Sequence, residues 1–160
     1  MARKFLHSDG KAWEQDPNYD YKAFRKQYYF FYGTLMDPTT LSKVLNNVTR
    51  AQVHPTKVIG YSCMLWSSYP ALLPGFPGKT VYGMAYEIQS REEAEKLQAY
   101  ETDNYRAESC LIDLNDGRQV RGKTFVWGAD TALLKEGVFD LKDWQMKNLE
   151  DSCLRDRLLY

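Results

Sequence analysis

Glu101 follows Ala94 by seven residues and Leu97 by four, within a segment that opens on a helix-start signal at Ser90. On a helix those spacings fall on one stripe, so the carboxylate shares the apolar face and points inward or at a pocket rim. Burial disfavours the charged form, and the carbonyl oxygens at a helix C-terminus disfavour a negative charge as well. Both effects raise a carboxyl pKa toward the range of a general base. The bland alternative is that Glu101 ends a solvated helix or pairs with Arg106. Glu92, Glu93 and Glu95 sit in the first turns of the same helix, where carboxylates meet the favourable end of the dipole and act as caps. Their expected job is local stability.

Tyr32-Gly33-Thr34-Leu35 is the second feature. A glycine between a buried strand and a helix start lets backbone N–H groups face outward and form a small cradle for an anion or a carbonyl. Many such turns need glycine only for its backbone freedom. Tyr69-Pro70, Tyr82-Gly83 and Tyr105 could add aromatic walls with polar tips, although a chain with 12 tyrosines buries many of them for packing alone.

Other chemistries find little support. His7 lies in a polar leader and His54 directly precedes Pro55, which argues against a Ser-His-Asp or Cys-His site and against clustered zinc ligands. Cys63, Cys110 and Cys153 are odd in number and far apart, unlike a disulfide framework, and read as small buried hydrophobes.

The elements that must position Glu101 and the glycine turn are legible in outline. Residues 28–32, Tyr-Tyr-Phe-Phe-Tyr, form a continuous aromatic run that suits a strand buried on both faces. Asp37 before Pro38 is a helix-start signal, with Leu41, Val44 and Leu45 facing inward. Residues 58–65 predict one strand, followed by a constrained loop punctuated by Pro70, Pro74, Gly75, Pro77 and Gly78 that could wall a pocket. Residues 80–88 predict a strand in which Gly83 marks a close approach of backbone or ligand. Ser90 and Glu93 form a capping box for a helix over about 91–100. Residues 107–114 and 119–127 flank Asn115-Asp116-Gly117-Arg118 and predict an antiparallel hairpin. Asp140 can cap a last helix carrying Leu141, Trp144 and Leu149. Several strands and two or three helices without a strand-helix repeat indicate an α+β fold.

At 160 residues and 44% hydrophobic content, the chain suits one domain over residues 28–160, preceded by an irregular arm over residues 1–27 on which Trp13, Tyr19 and Phe24 could dock. The 21 basic and 21 acidic side chains cancel, so nucleic acid and anionic membranes are not expected partners. No stretch approaches the roughly 20 apolar residues of a membrane span, and residues 1–11 lack the apolar segment of a secretory signal. A cytosolic location and a small-molecule substrate are the expectation.

Four segments in order, YFFYGTL over residues 29–35, YPALLPG over 69–75, VYGMAYEI over 81–88 and LQAYETDNYR over 97–106, resemble the gamma-glutamylcyclotransferase-like superfamily. More narrowly they are similar to its avirulence-induced-gene-like branch of plants and fungi. The resemblance implies a small mixed β-barrel with flanking helices and a single catalytic glutamate, which falls on Glu101. It also implies a substrate-binding loop at Tyr32, Gly33, Thr34 and Leu35, with Tyr105 shaping the pocket. One departure is Leu97-Gln98, where the family often carries leucine-aspartate, which bears on local hydrogen bonding and substrate preference.

The implied reaction closes a gamma-glutamyl amide on itself to give 5-oxoproline and a free amine. It calls for no metal or cofactor. The competing expectations are a transferase or cyclase that uses the same glutamate on another amide or amine, since fold does not fix reaction, and a catalytically silent ligand-binding module.

Overall fold

The structure, a computed structural model, describes residues 23–47 and 49–158, with side chains described as far as Leu149. The arm expected over residues 1–27 therefore lies mostly outside the described residues, Trp13 and Tyr19 included. Phe24 lies within them and packs against the core.

Among the described residues, seven strands and three α-helices are arranged as β1 (Tyr28–Phe31), α1 (Pro38–Leu45), β2 (His54–Ile59), β3 (Tyr61–Trp66), β4 (Tyr69–Pro74), β5 (Thr80–Glu87), α2 (Arg91–Glu101), β6 (Tyr105–Leu114), β7 (Gln119–Trp127) and α3 (Leu141–Leu158). Five strands close a barrel in the order β1-β5-β2-β6-β7, and β3-β4 form a separate two-stranded sheet. Neighbours in the barrel are antiparallel except at its closure, where β1 runs parallel to β7. The expected small mixed β-barrel with flanking helices, an α+β fold, is the architecture found.

The aromatic run of β1 is buried on both faces because it separates two apolar layers. Phe30 packs with Val58, Ala85, Ile112 and Val126 from the other barrel strands. Tyr29 and Phe31, one step out of phase, pack with Leu35, Leu41, Leu45 and Leu97 beneath α1 and α2. Gly83 sits where β5 crosses β1, and a Cβ there would lie 2.1 Å from the carbonyl oxygen of Phe31. The predicted close approach is that of backbone, and any side chain would force the strands apart.

Residues 58–65 are not one strand. Gly60, at φ 97°, turns the chain between β2 and β3, so β2 joins the barrel while β3 leaves it. The expected constrained loop is in part β4, paired with β3 from Tyr61 opposite Pro74 to Trp66 opposite Tyr69. A two-stranded sheet has only edge strands, and a proline without an N–H is tolerated at an edge.

Helix starts follow their sequence signals. The Asp37 carboxylate accepts from Thr40 N–H at 3.2 Å, with Pro38 in the first turn of α1. Asp140 accepts from Asp143 N–H at 3.1 Å. Ser90 Oγ accepts from Glu93 N–H at 3.2 Å, but the reciprocal half of the box differs from expectation. Glu93 reaches past Ser90 to accept from Gln89 N–H at 2.7 Å and from the Tyr86 hydroxyl at 3.0 Å. Its carboxylate is buried between α2 and β5, so it joins helix to barrel as well as capping the helix. In α3, Leu149 is exposed, and Gln145 Nε2 donates to Asp37 at 3.0 Å, tying the helix to the start of α1. Among the described residues no helix is long and apolar enough to cross a membrane.

Candidate active site

A cavity of about 300 Å³ opens at the end of β1. One side is the end of that strand and the chain leaving it, Phe30 to Leu35, and the opposite side is the end of α2, Tyr100 to Thr102. Trp66, Tyr69 and Pro70 of the β3-β4 hairpin, Tyr105 of β6 and Phe125 of β7 complete the lining. Glu101, Tyr32, Gly33, Thr34, Leu35 and Tyr105, the six residues that the resemblance marks for the site, line this one cavity.

Glu101 is the last residue of α2 and its only acidic residue on the cavity. Leu97, one turn earlier, is fully buried, and Ala94 packs against the same core, so the apolar stripe holds the helix down with the carboxylate half-buried. Arg106 is not its partner: that guanidinium binds Glu108 at 2.6 Å. Among the described residues the Glu101 carboxylate has no hydrogen bond or ion pair, and burial pushes its pKa up from 4.5 to about 7. A buried carboxylate without a compensating donor is poised to accept a proton.

Across the cavity, Gly33 and Thr34 carbonyls accept from Met36 and Asp37 N–H at 3.0 and 3.1 Å, closing one 3-10 turn over Thr34–Met36. The N–H groups at the start of such a turn have no partner within it. A Cβ on Gly33 would lie 3.0 Å from Pro70 Cγ on the hairpin, a tight contact to which the proline ring would have to yield by a few tenths of an ångström. Thr34 Oγ1 and the Tyr100 hydroxyl share a hydrogen bond of 2.7 Å, tying the turn to the residue before Glu101.

The two tyrosines of the lining brace the walls. Tyr32 donates its hydroxyl proton to Phe125 O at 2.5 Å and accepts from Leu72 N–H at 3.2 Å. Tyr105 donates to Pro70 O at 2.9 Å and stacks edge-on against Trp127, ring centroids 5.3 Å apart, with Trp66 beside both. Burial, and then the nearby Glu101 charge, raise both phenols, so they remain protonated donors. Gln98, at the family's aspartate position, donates from Nε2 to Tyr105 O at 3.3 Å and braces the chain just past Glu101.

Tyr82 does not wall this site: it is 73% exposed and borders a separate depression with Tyr61 and Lys79. Sequence reasoning missed Trp66 and Phe125, whose only signal was aromatic character in strands. It also passed over Tyr100, although that residue precedes Glu101. Cys110 is buried and Cys63 half-buried, both thiols raised to about 12 by burial, while the Cys153 side chain lies outside those described.

A family model described as gamma-glutamyl cyclotransferase, AIG2-like, matches residues 29–146, from β1 into α3. The chain belongs to this family. Solved structures share the fold. One is a solution structure from Arabidopsis thaliana, with TM-score 0.62, 19% identity, and coverage of 88% of this chain and 86% of that one. A mouse AIG2-like protein gives TM-score 0.54 and 18% identity over 73% of this chain and 90% of its own. A yeast gamma-glutamyl cyclotransferase specific to glutathione gives TM-score 0.50 and 13% identity over 65% and 69% of the two chains. No curated protein matches the sequence. At these identities the structures speak to fold alone, and membership rests on the family model.

Proposed function

We propose that this AIG2-like family member is a cyclotransferase that converts a gamma-glutamyl amide to 5-oxoproline and a free amine. One observation carries the reading: a half-buried carboxylate, Glu101, without a partner among the described residues, shares a cavity with the Gly33-Thr34-Leu35 turn.

In this reaction the substrate's α-amino nitrogen attacks its own γ-carbonyl carbon. The new C–N bond closes the five-membered ring, and the bond to the leaving nitrogen breaks. Glu101 takes the proton that the attacking amine sheds and returns it to the leaving amine. Atoms balance without water or any co-reactant. A carboxyl whose pKa is about 7 suits both transfers, because it holds and releases a proton with similar ease near neutrality. The cavity's other contribution is orientation: held folded, the substrate reacts intramolecularly, and effective molarities of roughly 10⁵ M or more are attainable. The N–H groups at the start of the 3-10 turn receive either the substrate carboxylate or the developing oxyanion. The Tyr32 and Tyr105 hydroxyls, already engaged by backbone carbonyls, shape the walls.

The test is 5-oxoproline release from gamma-glutamyl amino acids, gamma-glutamyl amines and glutathione, with wild-type protein beside Glu101→Gln. Release by wild type and its loss in the folded variant are expected. Near-normal release by Glu101→Gln would remove Glu101 from its role, and no release from any substrate would overturn the cyclotransferase reading.

A further inference from the structure

Helix α2 stops at Thr102, whose backbone sits at φ 67°, ψ −179°. That region is open essentially to glycine alone, because a Cβ crowds the neighbouring backbone there, and a β-branched residue is among the worst suited to it. Backbone bonds hold the conformation: Thr102 N–H donates to Gln98 O at 3.2 Å, and Thr102 O accepts from Tyr105 N–H at 3.4 Å. Both bonds use the main chain, so glycine would make them equally well. Packing gives no reason for threonine either, since the residue is exposed at the cavity rim.

The hydroxyls of the cavity supply a reason. Tyr32 and Tyr105 are bound to backbone carbonyls, and Thr34 and Tyr100 are bound to each other. The Tyr69 and Thr102 hydroxyls line the same cavity without a hydrogen-bond partner among the described residues, and of the two only that of Thr102 belongs to the residue next to Glu101. Backbone strain retained beside a reactive group, for a side chain the fold itself does not use, points to a ligand.

We propose that Thr102 contacts the substrate, its hydroxyl hydrogen-bonding a polar group on the leaving amine next to the scissile nitrogen. Resting on the cyclotransferase reading above, the contact makes Thr102 a specificity residue. With the gamma-glutamyl part held at the glycine turn, the leaving amine extends toward the open rim where Thr102 stands. An amine bearing a hydrogen-bonding group on its first carbon, as an amino acid does, is favoured over a plain alkylamine.

The experiment uses the full chain with gamma-glutamylalanine and gamma-glutamylethylamide as probes, comparing wild type, Thr102→Gly and Thr102→Ser. The expected result for Thr102→Gly is kcat/KM on the alanine probe lowered by roughly tenfold or more, as fits a lost hydrogen bond to a charged group. On the ethylamide the loss stays within about twofold. Its unfolding midpoint is unchanged or raised by up to about 4 °C, since glycine relieves the backbone. Thr102→Ser restores the alanine probe. A variant that was merely disruptive would lose stability and both probes together. Equal loss on both probes, no loss at all, or failure of serine to rescue overturns the Thr102 contact while leaving the cyclotransferase reading intact. Wild-type protein inactive on every gamma-glutamyl compound overturns that reading, and the contact with it.

Discussion

Replacing Glu101 with glutamine is expected to move stability and turnover in opposite directions, and to do so only above a definite pH. The wild-type carboxyl is raised by burial from 4.5 to about 7. A group that holds its proton more tightly folded than unfolded makes the native state the better proton binder within that window. Wild-type stability from this group is therefore fully present below about pH 4.5 and is lost as the pH climbs through about 7. At about 1.4 kcal/mol per tenfold change in proton affinity, keeping the carboxylate ionised in the cavity costs about 3 kcal/mol above the window. Glutamine has nearly the same shape and never ionises, so it escapes that cost. Near pH 5 the two proteins are expected to unfold within about 0.5 kcal/mol of each other. Near pH 8 the glutamine variant is expected to be the more stable by about 3 kcal/mol, or about 6–12 °C in unfolding midpoint for a chain of this size. Urea titrations at the two pH values measure the difference directly. Over the same range wild-type kcat/KM rises with pH through about 7 as Glu101 becomes a base, while the variant loses roughly 10²–10⁴-fold of turnover. A stability difference that is the same at both pH values would refute the account of a carboxylate destabilised by burial, whatever the turnover.

Three further substitutions probe the scaffold around that carboxylate. Tyr105→Phe leaves the Pro70 carbonyl without its 2.9 Å donor and is expected to cost about 1–2 kcal/mol in urea unfolding. Gly33→Ala places a methyl 3.0 Å from Pro70 Cγ, crowding the proline ring where turn meets hairpin, and is expected to lower kcat/KM by roughly tenfold while the far-ultraviolet spectrum is retained. Ser90→Ala removes the cap on Glu93 N–H at the far end of α2 and is expected to cost about 1 kcal/mol with kcat unchanged. A fall in kcat there would mean that the start of the helix governs the placement of Glu101.

Much of this fold is written locally. Caps at Asp37, Ser90 and Asp140 start helices because a side-chain oxygen meets N–H groups two or three residues along, a relation contained in one short segment. The hairpin of β6 and β7 likewise follows from a four-residue turn and its flanking strands. The division of β2 from β3 was not legible, because an isolated glycine in an apolar run is compatible with a continuing strand. Only the pairing of β2 with β5 and of β3 with β4 separates the two. The reach of Glu93 to Tyr86 and the aromatic contribution of Trp66 and Phe125 were equally hidden, since each depends on residues that meet only after the barrel closes.

For Glu101, helical spacing alone set the direction: a carboxylate on the stripe of Ala94 and Leu97 faces inward wherever that helix is placed. Its isolation was decided elsewhere. Arg106, five residues on from Glu101, binds Glu108 because successive strand residues on one face lie two positions apart. The barrel end and the β3-β4 hairpin then enclose the carboxylate opposite the Gly33 turn. Sequence order thus determined which group would face the interior, while tertiary packing alone removed its water and its partners, and with them its ordinary acidity.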